Sequence, residues 1–190
     1  MHILTISTEH APRHLKWLVG AYKLSAHHIG FAESLNGLGR LDCALRSAEI
    51  PYYNYIIGGK IGEPMDIVTD FHCLSNIWTM GMYEGLRILS QKLSKDSKLG
   101  KAHSATDEVN LLKQKFARVR IPLAKFEAAS QSPTDYDYLS QSIGDSIKGW
   151  GWIVTDKTVI YRNELADDVL QLFDKFEETE ASLLIQKKLT

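Results

Sequence analysis

The sequence predicts a mainly α-helical, bundle-like domain around a long central helix, with a small β-hairpin near the C-terminus. Three observations favour this fold class. The tract between Phe71 and Leu89 is apolar over most of a helical circumference. A later segment repeats apolar residues every three or four positions, and another alternates apolar and polar residues on either side of Asp156 and Lys157. A chain of 190 residues suits a single domain spanning 1–190.

The N-terminal part is expected to hold a short strand and two helices. Residues 2–7 (HILTIS) alternate weakly, which favours a strand. Pro12 suits the first turn of a helix that continues to about Gly30, because that turn does not use the N–H that proline lacks. The glycines of 36–41 (NGLGRL) predict a loop before a shorter helix, and we expect Pro51 to end that helix.

The middle of the chain is expected to hold the central helix. The segment 52–62 (YYNYIIGGKIG) is aromatic and β-branched before its glycines, which favours an extended stretch and a turn. Pro64 then opens the central helix, which should run to about Lys92. After a polar connection, Ser104 or Thr106 is expected to cap the next helix.

That next helix carries an apolar seam formed by Leu112, Phe116, Val119, Leu123 and Phe126. Such a seam is typical of a helix that packs against a neighbour, so 63–130 is expected to form an antiparallel helical pair. Because a proline removes a backbone donor, we expect a kink or a break at Pro122. Arg118 and Arg120 flank this proline, and a salt bridge to Glu84 across the pair is favoured over a functional role.

Residues 148–190 are predicted to form the β-hairpin followed by a C-terminal helix. The preceding segment 138–147 (YLSQSIGDSI) favours a short helix. Asn163 is expected to be the N-cap of the C-terminal helix. The apolar positions of that helix are Leu165, Val169, Leu172, Phe173 and Phe176.

Charge and composition limit the classes of function. Lys and Arg total 22 against 23 for Asp and Glu, so the chain lacks the basic footprint of a nucleic-acid-binding protein. Cys43 and Cys73 have no CxxC spacing, which favours reduced core residues of a cytosolic protein. The N-terminus lacks the pattern of a secretory signal, and Glu84 and Arg87 interrupt the longest apolar tract. We therefore expect a cytoplasmic protein without a membrane span.

One line of polar side chains along the central helix is the candidate site. The residues predicted to bind a ligand are His72, Asn76, Tyr83, Glu84 and Arg87, and Thr79 lies on the same line. Solvent-exposed faces usually carry Lys, Glu and Gln, whereas this face offers mostly uncharged hydrogen-bonding groups. Three interpretations remain open: a solvated face, a buried polar network, or a cleft in which Arg87 orients a small polar or anionic ligand.

Other patterns for site chemistry are incomplete, and we predict neither a metal site nor a cofactor. His10 and His14 have the spacing of a helical pair, and a metal site assembled from His14, His27 and His72 stays open, but no HExxH motif occurs. The segment 56–66 (IIGGKIGEPMD) resembles part of a phosphate loop without the full GxxxxGK[ST] pattern.

The sequence has strong patterns for helix packing and no catalytic motif, which predicts a non-enzymatic binding or interaction protein. The alternative is a small-molecule-binding protein or enzyme with a polar cleft along the central helix. The sequence leaves open whether any reaction is catalysed. Because the central helix is apolar on most sides, a homodimer that covers part of it is also expected.

Overall fold

The computed structural model describes residues 7–57, 65–143 and 147–187. The described helices are α1 (Ala11–Ser25), α2 (Phe31–Ile57), α3 (Met65–Lys98), α4 (Thr106–Lys125), α5 (Arg162–Phe173) and α6 (Glu180–Lys187). The described strands are β1 (Ser140–Ile143), β2 (Trp150–Thr155) and β3 (Thr158–Tyr161). This is the mainly α-helical fold that the sequence predicts, with its long central helix and C-terminal hairpin. The strand predicted at 2–7 lies outside the described residues, except for Ser7.

The central helix is α3, which has 34 residues and extends to Lys98 rather than to Lys92. Its expected first residue, Pro64, lies outside the described residues. Lys95 and Lys98 stand in the last turn, where positive charge complements the helix dipole. The inward face of α3 repeats every three or four residues, with Trp78, Met82, Leu86, Leu89 and Leu93 buried.

Helices α3 and α4 form the predicted antiparallel pair. The Ser90 hydroxyl donates a hydrogen bond to Asn110 Oδ1 at 2.7 Å. Glu84, nearer the start of α3, forms an ion pair of 3.6 Å with Arg120, nearer the end of α4. Residue numbers therefore rise along α3 as they fall along α4. The expected salt bridge to Glu84 is present for Arg120, whereas Arg118 pairs with Asp135 instead.

Three positions of helix α4 test the prediction. Its N-cap is Ala105, without a side-chain hydrogen bond, so neither Ser104 nor Thr106 is the cap. Pro122 lies inside the helix, which continues past it, so the helix is not broken at the proline, and the alternative, a kink, stays a prediction. Phe126 follows the helix in a left-handed conformation with φ of 57° and is 70% exposed, so it is not part of the buried seam.

Helices α1 and α2 pack closely because glycine lies at their contact. Pro12 is in the first turn of α1, as predicted, but α1 ends at Ser25. The loop predicted at 36–41 was wrong, since α2 runs through it. Gly39 faces α1 there, and a Cβ atom at this position would overlap the side chain of Trp17. Close helix packing outweighs the weak helix propensity of glycine at this point.

The predicted end of α2 at Pro51 was also wrong. The helix continues through this proline to Ile57, so the part of the predicted extended segment that the structure describes, 52–57, is helical. A proline inside a helix removes one hydrogen bond and need not end the helix. The glycines of the predicted turn lie outside the described residues.

The hairpin is confirmed, and a third strand extends it. Strands β2 and β3 pair antiparallel, with Trp152 opposite Ile160. Strand β1 pairs antiparallel with the other side of β2, so the helix predicted at 138–147 was wrong. Asn163 lies in the first turn of α5, whose N-cap is Tyr161, so its predicted role as N-cap was wrong too.

One cluster of buried apolar residues connects the helices to the sheet. Trp17 packs edge-on against Trp78 and Phe173, with ring centroids 6.3 and 5.5 Å apart. Trp152 and Val154 contribute fully buried side chains from β2. Among the helices that the structure describes, none has enough uninterrupted apolar length to cross a bilayer.

Candidate functional site

A groove of about 350 Å³ lies between α2 and α3, and we call it the α2–α3 groove. Its lining residues are His28, Gly30, Phe31, Ser34, Leu35, Leu38, Gly81, Glu84, Gly85 and Ile88. Grooves of similar volume lie between α4 and α5 and along α1, α5 and α6, but they contain none of the predicted site residues. The α2–α3 groove is therefore the candidate functional site.

Two glycines one helical turn apart form the floor of this groove on α3. A Cβ atom at Gly81 would lie 2.9 Å from a methyl carbon of Leu38, whereas one at Gly85 would meet only Leu35, at an ordinary 3.6 Å. Small residues at this spacing leave one face of α3 without side chains. The space that they leave open is bounded mainly by apolar groups of α2 and by Ile88.

Glu84 is the one acidic residue in the described lining of the groove, and two arginines outside that lining pair with it. Arg87 Nε donates to Glu84 Oε2 at 2.6 Å, and Arg120 Nη2 lies 3.6 Å from Glu84 Oε1. Two guanidinium groups thus face one carboxylate, which leaves an excess of one positive charge. The side chains of Glu84 and Arg87 are 42% and 41% exposed. Among the described residues, Glu84 is the one hydrogen-bond acceptor of Arg87, so the terminal nitrogens of Arg87 remain available to a ligand.

Tyr83 supports this group of charges from the α4 side. The guanidinium carbon of Arg120 lies 5.1 Å from the centre of the Tyr83 ring, a distance that suits a cation–π contact. Tyr83 does not line the α2–α3 groove. Its ring positions Arg120, which in turn faces Glu84.

The two predicted site residues nearest the start of α3 lie beside the sheet instead. Asn76 Oδ1 accepts a hydrogen bond from Trp152 Nε1 at 3.1 Å, and Asn76 Nδ2 lies 2.9 Å from His72 Nε2. The His72 ring also packs against Trp150, with centroids 5.6 Å apart. Burial lowers the pKa of His72, so its ring is neutral near pH 7 and can accept the amide proton.

The predicted line of polar residues therefore divides into two parts. His72 and Asn76 connect α3 to the sheet, and the Thr79 hydroxyl is buried and donates to the carbonyl of Ser75. Glu84 lines the α2–α3 groove, Arg87 pairs with Glu84 from outside that lining, and Tyr83 contacts Arg120. The predicted ligand-binding role remains a prediction for all five residues.

A cluster of charges, fully buried at Asp42 and Arg162 and 48% exposed at Asp167, is the main polar feature that the sequence did not reveal. It contains three arginines and three acids, namely Arg13, Arg46, Arg162, Asp42, Glu49 and Asp167. Arg162 lies at its centre and donates to Asp42 Oδ1 at 2.7 Å and to Glu49 Oε1 at 2.6 Å. Asn163 Nδ2 donates to the other oxygen of Glu49 at 2.6 Å.

The electrostatics of this cluster keep Asp42 and Arg162 ionised. Burial raises the pKa of Asp42, but Arg162, Arg13 and Arg46 outweigh this effect and hold the pKa below its ordinary value. Burial lowers the pKa of Arg162, and the carboxylates of Glu49 and Asp42 outweigh it and raise that pKa. Equal numbers of opposite charges, closed to solvent at Asp42 and Arg162, indicate a structural cluster rather than a reaction centre.

This cluster joins α1 and α2 to the C-terminal half of the chain. Gly149, which precedes β2, has φ of 68°, and a Cβ atom there would lie 2.7 Å from Asn163 Nδ2 and overlap the carboxylate of Glu49. One signal in the sequence was available: Asp42, Arg46 and Glu49 are spaced by four and three residues, so they share one face of a helix. The predicted stop at Pro51 hid the length of that helix.

The metal and phosphate sites that the sequence left open find no support in the described residues. His14 Nε2 lies 3.1 Å from Asn36 Oδ1. Within 7–57, 65–143 and 147–187, no group of three possible ligands is arranged to hold a metal ion. The glycines of the phosphate-loop comparison lie outside the described residues. Cys43 is buried, as predicted, and burial raises the pKa of its thiol to about 11. Cys73 is exposed, so the core position predicted for it was wrong.

Comparisons with protein-family models, with curated proteins and with solved structures found no match to this chain. Any statement about its function therefore depends on its own geometry.

Proposed function

We propose that this chain is a non-enzymatic binding protein that holds a small amphipathic anion in the α2–α3 groove. The observation that carries this proposal is an apolar groove whose lining carboxylate, Glu84, is paired with two arginines that lie outside the lining. A volume of about 350 Å³ is within the range of small-molecule sites. The expected ligand has an apolar chain and a single anionic headgroup.

The apolar chain would be bound by α2 and α3. Phe31, Leu35, Leu38 and Ile88 surround the groove, and the glycine floor lets a chain lie against the α3 backbone. Removing apolar surface from water contributes about 25 cal/mol per Å². Since such burial is not selective for a headgroup, the charged groups beside the groove have to supply the selectivity.

The headgroup would be bound by Arg87. Its Nε is occupied by Glu84, and its terminal nitrogens can present a planar pair of donors to a carboxylate. On the opposite side, His28 Nδ1 accepts the N–H of Gly30 at 3.2 Å, so a neutral His28 carries its proton on Nε2 and can also donate. The acid in the lining, Glu84, is held by two arginines rather than placed beside a nucleophile, which supports binding over catalysis.

Titration calorimetry with decanoate, decanol and acetate tests this proposal. Decanoate should bind, and decanol should bind at least tenfold more weakly because it lacks the charge that strengthens the hydrogen bonds to Arg87. Acetate, which has the headgroup without the chain, should show no measurable binding. Equal affinity for decanoate and decanol would contradict the role given to Arg87, and absence of binding by both would contradict the proposed function.

Three variants localise the binding to this groove. Gly85→Leu should abolish decanoate binding by filling the floor, and Gly85→Ala, whose Cβ would meet only Leu35 at an ordinary 3.6 Å, should keep the fold intact and weaken binding less. Arg87→Met should reduce the preference for decanoate over decanol. Lys95→Met, an exposed change of the same charge further along α3, is the matched control and should leave both affinities unchanged.

A second copy of the chain is a second candidate occupant, since apolar side chains extend the groove at both ends. Ile77 is 51% exposed and precedes Gly81 by one helical turn, and Ile29 is 85% exposed next to Gly30. Burial of this longer strip favours a two-fold homodimer. Light scattering over a dilution series should then give a mass that rises with concentration, and Ile77→Lys should restore the monomer. A monomeric mass at every concentration would contradict the homodimer.

A further inference from the structure

Two connections between helices contact the same aromatic ring, that of Phe176. They lie at the end of the bundle that is far from the contact between His72 and the sheet. His27 lies in the connection between α1 and α2, and His103 lies in the connection between α3 and α4. The His103 ring stacks on Phe176 with centroids 4.7 Å apart and an interplanar angle of 20°. His27 meets Phe176 edge-on at 5.3 Å and His103 at 5.7 Å. We call these three residues the histidine cluster.

We infer that the histidine cluster is an acid-sensitive contact, which holds the two connections together while both rings are neutral and releases them when the rings become protonated. The histidine cluster shares no residue with the part of the α2–α3 groove lining that the structure describes. Its response to acid depends on the hydrogen bonds of His103, on the burial of His27 and on the short distance between the two rings.

The hydrogen bonding of His103 requires its neutral form. Its Nδ1 accepts the backbone N–H of Ala105 at 3.1 Å, and Ala105 is the N-cap of α4. A protonated imidazole carries a proton on both nitrogens and cannot accept this bond. Because Ala105 is only 1% exposed, its N–H would be left without a partner in a buried position.

The position of His103 adds a second effect. A cation at this site stands before the N-terminus of α4, where the helix dipole disfavours positive charge. Asp107 and Glu108 in the first turn attract such a cation, but Glu108 also faces Lys175 at 4.0 Å. Neither carboxylate replaces His103 Nδ1 as the hydrogen-bond acceptor of the Ala105 N–H.

His27 resists protonation for a different reason. Burial lowers its pKa, and repulsion from His103 and Lys92 acts in the same direction, while Asp96 raises it. Asp96 also forms an ion pair with Lys92 at 3.1 Å, so its negative charge attracts both Lys92 and His27. A histidine whose pKa is lower in the folded state contributes stability that is complete above its ordinary value of 6.5 and is lost as the pH falls below it. The two rings would then carry like charges with centroids 5.7 Å apart.

Hydrogen exchange with mass spectrometry at pH 7.5 and pH 5.5, corrected for intrinsic exchange rates, tests this inference. Protection of peptides covering 26–31 and 99–106 should fall severalfold at the lower pH, while protection of the α3 core around Trp78 should change little. Equal protection of the two connections at both pH values would overturn the inference, and so would a uniform loss over the whole chain.

Three variants identify the groups responsible. His103→Asn keeps a side-chain acceptor for Ala105 and cannot be protonated, so it should remove most of the pH dependence. Adding His27→Phe, which keeps a ring against Phe176, should remove the rest. His28→Asn is the matched control, because His28 accepts the Gly30 N–H in the same local geometry but is exposed and outside the cluster. Persistence of the pH effect in the double variant, or its loss in His28→Asn, would overturn the inference.

Discussion

Asp42 and Arg162 are fully buried and lie 2.7 Å apart, although 120 positions separate them in the sequence. This ion pair joins α2 to the first residue of α5. The Trp17 indole also donates to Asp42 Oδ2 at 2.9 Å, so one carboxylate receives hydrogen bonds from both halves of the chain. The relative placement of these helices should therefore depend on a few polar contacts.

Replacing Arg162 with Met should destabilise the protein by about 3–5 kcal/mol, because Glu49 would remain buried without its positive partner. The free energy of unfolding in urea measures this loss. Arg40→Met removes an exposed arginine from the same helix as Asp42 and is the matched control, with an expected change below about 0.5 kcal/mol. A loss of less than about 1 kcal/mol for Arg162→Met would show that the cluster is not essential to the fold.

The carboxyl group of Asp42 should titrate below its ordinary pKa of 3.8 in the folded protein. Since the folded pKa is lowered, the carboxylate contributes stability that is present above this ordinary value and is lost as the pH falls through the folded pKa. Carbon NMR of the labelled carboxyl group gives the midpoint directly. The midpoint should rise in Arg162→Met, which removes one of the positive charges that hold the pKa down, and an unchanged midpoint would contradict this cause.

Trp78→Ala should cost about 3–5 kcal/mol, since Trp78 is fully buried and its indole N–H donates to the carbonyl of Leu38 at 3.1 Å. Leu74→Ala on the same helix should cost less than about 2 kcal/mol, because Leu74 is only partly buried. Urea melts of the two variants give the comparison. Equal losses would mean that the two side chains contribute equally to the core.

Two glycine-to-alanine changes should have opposite effects. A Cβ atom at Gly20 would overlap the ring of Phe173, so Gly20→Ala should destabilise the protein by at least about 2 kcal/mol. Gly37 has no heavy atom within 4 Å of the same position, so Gly37→Ala should stabilise α2 by about 0.5–1 kcal/mol. Thermal melts measure both changes. Effects of the same sign would contradict the packing of α5 on α1.

Several elements could be predicted because their patterns are local. The apolar repeat of α3 and the alternation around Asp156 and Lys157 depend on neighbours within a few residues. Strand β1 could not be predicted in this way, because its sequence SQSI gains its backbone hydrogen bonds from β2 and shows little alternation of its own. The loop expected at 36–41 and the helix end expected at Pro51 failed because local propensity does not include the contacts of the folded helix.

The candidate site likewise has one part that local sequence patterns could predict and another part that depends on tertiary contacts. Glu84 and Arg87 could be placed together from their spacing on one helix, and their ion pair is present at 2.6 Å. The α2–α3 groove beside them could not be foreseen, because it requires Leu35 and Leu38 of a helix that the sequence did not predict as continuous. His72 and Asn76 lie apart from this groove because they contact Trp150 and Trp152 of strand β2. Those contacts also could not be foreseen, since they require the sheet to pack against α3.

The sequence by itself determined the helical class, the long central helix, its antiparallel partner and the hairpin, because periodic burial of apolar residues is a property of short segments. The tertiary structure decided which polar residues became buried, where α2 could continue and where a groove remained open. Those outcomes depend on contacts between residues as distant as Asp42 and Arg162. The free energy of such a contact exists only once both partners have left water, so no local pattern in the chain reports it.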